Sequence, residues 1–163
     1  MPRLRHAERV DPAAWPERAF AFALAEPTST FALSPSDDPA HADFLIGGRL
    51  LRDYIRPAPD AFPMFAWRHA VIVAPLRSKL RLESASDVPS GRVQIYACSH
   101  CYDPACGSIS ANVVRVGDRI VWSNIAQELL DVSERSDWVL RGLPGPAGFA
   151  FDAEHYLRAL AGP

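Results

Sequence analysis

The chain has 163 residues, a formal net charge of -2, 48% hydrophobic and 22% charged residues. That length suits one domain with a core that needs no covalent staples. The balance of charge, with no Lys/Arg run, excludes a phosphate-driven nucleic-acid surface and a polybasic membrane patch.

Sixteen arginines stand against one lysine, Lys79, which points to a GC-rich bacterial coding sequence rather than to a function. Fifteen prolines limit helix length and predict many loops. The first ten residues have no apolar signal-like run, and no stretch is long enough to span a bilayer. A cytoplasmic protein is the expectation.

Residues 1–17 carry Pro2, Pro12 and Pro16 and read as an irregular lead-in, with the domain occupying residues 18–163. Arg18 to Leu24 places Phe20, Phe22 and Leu24 at period two, the pattern of a strand with one buried face, although its alanines also suit a helix. Thr28 to Leu33 is a second candidate strand. Ser34 to Asp43 is a loop, with Asp37, Asp38 and His41 expected in solvent. Phe44 to Leu51 reads as a hairpin about Gly47-Gly48 or as a strand turning into a helix, and Leu50 to Ile55 as a short helix ending before Pro57.

Ala70 to Ala74 is a continuous apolar, β-branched run and is expected as a central strand. Leu80 and Leu82 alternate with charges and suggest another. Arg92 to Cys98 alternates again. Ser108 to Val116 and Arg119 to Trp122 form a hairpin about Gly117-Asp118, where glycine suits the first position of a type II′ turn. Ile109, Ala111, Val113, Ile120 and Trp122 then share one face. Val114, Val116 and Val121 share the other, so the hairpin is expected either inside the sheet or with a helix or partner over its second face. Ser123 is read as the cap of a helix through Leu130, Trp138 to Leu140 as a strand, and Asp152 as the cap of a last helix bearing Tyr156, Leu157 and Leu160. The tryptophans Trp15, Trp67, Trp122 and Trp138 are core candidates. Together these elements predict a single α+β domain, with a mainly antiparallel sheet and two or three short helices.

The chemistry concentrates in Tyr96-Ala-Cys-Ser-His-Cys-Tyr-Asp-Pro-Ala-Cys-Gly107, which holds all three cysteines. A Cys-x2-Cys pair lets two thiolates meet one ion while local N–H groups offset their charge, and Cys106 offers a third. Zinc needs four ligands. His100 is the nearest fourth, although neighbours in an extended chain point apart; Asp103 is a poorer one, and His69 or His155 would have to arrive from elsewhere. The expected metal ligands are therefore Cys98, Cys101, Cys106 and His100, and the expected ion is Zn2+. Two other readings stay open. Cys98 and Cys101 suit a dithiol-disulfide pair with His100 lowering a thiol pKa, and cysteines are also common as small buried apolar residues.

The motif from Val93 to Gly107, followed by Val114 to Ser123, resembles an uncharacterised family of small bacterial proteins. In that family a strand ending in Tyr-x-Cys leads to Cys-Gly-Asp-x-Gly-Cys-Gly and then to a Gly-Asp hairpin ending in Val-Val-Trp. Cys98, Cys101, Asp103, Cys106 and Gly107 match, while Tyr102 and Ala105 stand where the family has glycine. The resemblance implies that the motif is one unit and assigns it no activity. The expected function is a non-catalytic protein-binding or interaction domain, in the manner of an immunity protein, with another protein as partner. A thiol redox protein and a zinc enzyme with an open coordination position are the alternatives.

Overall fold

A computed structural model describes residues 15–34, 36, 42–66, 70–86, 88, 90–98, 100, 101, 103–131 and 137–161. The readings made for Asp37, Asp38, His41, Trp67 and His69 lie outside these residues. The strands are β1 Phe31–Ser34, β2 Asp43–Ile46, β3 Arg49–Leu50, β4 Ala61–Pro63, β5 Val93–Cys98, β6 Ser108–Val116, β7 Arg119–Asp131, β8 Asp137–Gly142 and β9 Gly148–Asp152. The helices are α1 Trp15–Ala25, α2 Leu51–Ile55, α3 Ala70–Leu80 and α4 Ala153–Ala161. The expected α+β fold with a mainly antiparallel sheet is what the chain adopts.

A large antiparallel sheet runs β4-β5-β6-β7-β8, with β9 also paired to β7, and a small sheet runs β1-β2-β3. Strand β7 is long enough to serve two partners. Its first part, Arg119 to Ser123, pairs with β9, and its second, Ala126 to Asp131, with β8. Both expected hairpins form. Gly47 and Gly48 have φ of 59° and 78°, and Gly117 has φ of 60°, the left-handed backbone that these turns demand.

The core lies between one face of the large sheet, the small sheet, α3 and α4. Phe31, Phe44, Trp122, Phe151 and Tyr156 are each at most 1% exposed and interlock with ring centroids 4.5 to 6.2 Å apart. Trp122 Nε1 donates to the Tyr156 hydroxyl at 3.0 Å, and that hydroxyl donates to Leu80 O at 3.2 Å, so the buried polar ends are paired. Asp152 Oδ1 accepts from His155 N at 2.8 Å and caps α4 as expected.

Four expectations fail, each for a physical reason. Arg18 to Leu24 is helical, not a strand. Ala23 is its most buried side chain and packs on Val121 and Ala150, with Phe20 and Leu24 beside it, while Phe22 is 46% exposed. The buried stripe therefore runs at helical spacing through an alanine, not through the phenylalanines at period two. Close approach makes the small residue necessary: a Cβ at Gly148 would lie 3.0 Å from Ala23 Cβ and 2.2 Å from Trp122 O. This helix covers the second face of the sheet at β7 and β9, through Val121 and Ala150, while Val114 of β6 on that face stays exposed.

Ala70 to Ala74 is the first half of α3 and not a central strand. Leu76 and Leu80, one turn apart, anchor the helix in the core, and Pro75 is exposed. The expected strand about Leu80 and Leu82 is instead the end of α3. Leu82 takes φ of 62° while its N–H and that of Glu83 donate to Lys79 O and Ser78 O at 3.0 and 2.8 Å. This is a Schellman closure with leucine at the position usually held by glycine. The helix expected after Ser123 is the continuation of β7. Asn124, at φ of 52°, sits in a bulge opposite Ala111, and the strand resumes to Asp131.

Candidate metal site

Strand β5 delivers Cys98 to the end of the large sheet, where Ala61 of β4 is its cross-strand partner. The chain then turns back through a 3-10 turn at Pro104–Cys106 and enters β6 at Ser108. Asp103 shapes this return. Its Oδ1 accepts from Ala105 N at 2.9 Å, and its carbonyl accepts from Cys106 N at 3.0 Å. Gly107 has φ of 115°, and a Cβ there would lie 3.2 Å from Gln127 Nε2, so glycine is needed to swing Cys106 back towards Cys98.

The result is a cluster. The Sγ atoms of Cys98, Cys101 and Cys106 all lie within 4.8 Å of one another, with no disulfide between them. Tetrahedral ligands at a zinc–sulfur distance of about 2.3 Å stand just under ~4 Å apart, so small side-chain adjustments bring the three sulfurs onto one ion. Cys98 is buried, and Cys101 and Cys106 are exposed. A second group shares Cys98: the ligand atoms of Asp60, Cys98 and His100 also lie within 4.8 Å of one another. His100 Nδ1 is 3.9 Å from Cys98 Sγ. These residues form a cluster capable of coordinating a metal ion.

The electrostatics of the cluster point the same way. Backbone N–H groups of His100 and Cys101, with the His100 side chain, aim at the Cys98 sulfur and lower its pKa to about 7. Cys106 is pushed up to about 12 by its hydrogen bonds to Cys101 and then to Cys98. Three thiols this close cannot all ionise by themselves, because each negative charge raises the cost of the next. A divalent cation removes that conflict, since metal ligation takes the thiolate form.

The other expected candidates go elsewhere. His155 Nε2 lies 3.1 Å from Phe31 O, on α4, and Asp103 is used by its own turn. Asp60 was not among the expected ligands. It precedes Ala61, and only the pairing of β4 with β5 reveals that this position abuts Cys98; no local spacing carries that signal. A cleft of about 130 Å³ opens here, with Asp60, Cys98, Cys106, Gly107, Ile109 and Gln127 among its walls.

Two further polar groups are internal. Asp43, fully buried, accepts from the N–H groups of Phe44 and Arg52 at 2.8 and 2.9 Å, from Arg52 Nε at 3.1 Å and from the Tyr96 hydroxyl. It thereby caps α2 from a distance, whose own preceding residue, Leu50, makes no side-chain cap. Burial, and then the Asp43 charge, raise the Tyr96 pKa. Arg92 donates through Nε to Ser110 Oγ and through Nη2 to Ser110 O, both at 2.8 Å, and to Asn124 O in the β7 bulge. Glu128 Oε2 accepts from Ser110 Oγ at 2.7 Å and lies 3.7 Å from Arg92 Nε.

Among the described residues no helix is long and apolar enough to cross a membrane. Comparison with protein-family models, with curated proteins and with solved structures finds no match to this chain.

Proposed function

We propose that Cys98, Cys101 and Cys106 hold a zinc ion that closes the β5–β6 loop, with a fourth ligand drawn from the Asp60 and His100 side of Cys98. The domain so pinned works as a non-catalytic interaction domain with another protein as its partner. The convergence of the three sulfurs carries this reading. Thiolates select soft ions, and zinc takes three of them with one lighter donor in a single tetrahedral site.

The loop is held at both ends by the sheet, at Cys98 of β5 and Ser108 of β6, and a metal would close it between them. Outside the cluster, the buried charged groups of the sheet are engaged in supporting backbone. Asp43 caps α2, and Arg92 with Glu128 stitches the β7 bulge. This supports a scaffold that presents a surface over a site that turns over substrate. Fold alone assigns neither role.

Metal analysis of protein purified without added metal tests the zinc reading. One zinc per chain is expected, lost together with loop order on chelation. Protein without metal, in which Cys98 and Cys101 form a disulfide with oxidised glutathione, would favour the thiol redox reading instead; the lowered pKa of Cys98 is the observation on that side. The partner is sought by cross-linking in cells of the source with the zinc-loaded protein as bait. A partner retained by the wild type and lost with Cys101→Ser is the expected result.

A further inference from the structure

We infer that Asp60, not His100, supplies the fourth ligand, so that the metal ties the entry to β4 to the β5–β6 loop. This rests on the zinc reading above and adds the ligand that the sequence does not reveal. Four features support it.

First, Asp60 and two of the thiols face one space: the cleft beside the cluster is walled by Asp60, Cys98 and Cys106, and His100 does not contribute to it. The carboxylate lies within 4.8 Å of the Cys98 sulfur, so an ion held by Cys98 on that side has it as a neighbour. Second, the position is set by the sheet. Ala61 pairs with Cys98, so the residue before Ala61 is held at the sheet end where Cys98 ends β5. Asp60 sits in the turn that enters β4, closed by Ala61 N donating to Ala58 O at 2.9 Å, and so stands outside the loop that the metal would order.

Third, His100 is already engaged with the sulfur. Its backbone N–H is directed at the Cys98 sulfur, the first of the contacts that lower that thiol's pKa. Residues inside a Cys-x2-Cys turn hold the sulfur with their N–H groups while the two cysteines face the ion. Fourth, the charges are manageable. Three thiolates and a carboxylate around Zn2+ leave an excess of two negative charges, and the N–H donors of His100 and Cys101 on Cys98 disperse part of it.

The test compares zinc affinity, by chelator competition, and the visible spectrum of the cobalt-substituted protein for the wild type and three variants. Asp60→Asn is expected to weaken zinc by more than ~100-fold, beyond the loss typical of an outer partner, and to shift the cobalt d–d bands. His100→Gln is expected to weaken zinc by ~10-fold or less and to leave those bands in place. Asp60→His, which restores a zinc ligand at the same point, is expected to recover most of the affinity. Asp60 is exposed in the cluster, so the variants keep the fold, and far-ultraviolet circular dichroism checks this. A large loss with band shift in His100→Gln, and little change in Asp60→Asn, would overturn the assignment of Asp60 while leaving the three-sulfur site intact. A wild type that binds neither zinc nor cobalt would overturn both.

Discussion

The two ends of β5 handle polar groups in opposite ways. Just before the strand, Arg92 is 2% exposed and meets Ser110, Glu128 and the carbonyl of Asn124. Opposite charges face one another there, with Glu128 Oε2 engaged and Glu128 Oε1 left buried without a hydrogen-bond partner. At the far end, Cys98, Cys101 and Cys106 bring together groups of the same kind, whose ionised forms repel. The first arrangement is spent on the backbone of β6 and of the β7 bulge, through Ser110 O and Asn124 O. The second sets like groups side by side in a cluster capable of coordinating a metal ion, and this contrast separates a structural polar cluster from a candidate binding site.

Breaking the internal end has the larger expected effect on stability. Arg92→Met leaves Glu128 as an uncompensated buried charge and is expected to cost about 3–5 kcal/mol by urea unfolding. Arg92→Met combined with Glu128→Leu is expected to recover much of that, and zinc content is expected to stay the same in both. Removing the metal with a strong chelator acts on the other end. A site loaded at ~1,000 times its Kd contributes about 4 kcal/mol, which is a fall of roughly 8–16 °C in Tm by calorimetry for a chain of this size. Arg92 variants with altered metal content would merge the two regions into one.

Smaller changes sharpen the comparison. Gly107→Ala forces a side chain into φ of 115° and against Gln127, and is expected to cost about 1–3 kcal/mol while weakening zinc through misplacement of Cys106. Tyr96→Phe removes one of the donors to Asp43 and is expected to cost about 1–2 kcal/mol with zinc affinity unchanged.

The pH dependence of metal-free protein has a definite sign. Cys98 has its folded pKa lowered from 9.0 to about 7, so its contribution to stability is full above 9 and is lost as pH falls through 7. Cys106, raised to about 12, acts in the opposite sense above 9. Thiolate absorbance is expected to show a first step near 7 and a last one well above the ordinary thiol range. A single step near 9 would contradict the clustered geometry.

The sequence shows some of this and hides the rest for identifiable reasons. The hairpins at Gly47-Gly48 and Gly117-Asp118 were legible because their turns require glycine at positive φ. The α4 start was legible through Asp152. Helix α1 was hidden because the sheet approaches it so closely that alanine, not phenylalanine, is the buried residue. The end of α3 was hidden because Leu82 takes a glycine-like conformation. Ser123 looked like a helix cap, since serine favours that position, whereas the chain bulges at Asn124, a residue type that tolerates the left-handed conformation. At the site, the three cysteines and His100 were legible from spacing, and their convergence was not. Asp60 was invisible because its nearness to Cys98 exists only in the β4–β5 register.

The zinc K-edge absorption spectrum of the native, zinc-loaded protein tests the central claim most directly. Three sulfur neighbours at about 2.3 Å and one oxygen or nitrogen at about 2.0–2.2 Å are expected, with loss of sulfur scattering in Cys106→Ser. A shell of oxygen and nitrogen alone, or a protein that takes up no zinc with its three thiols reduced, would contradict it.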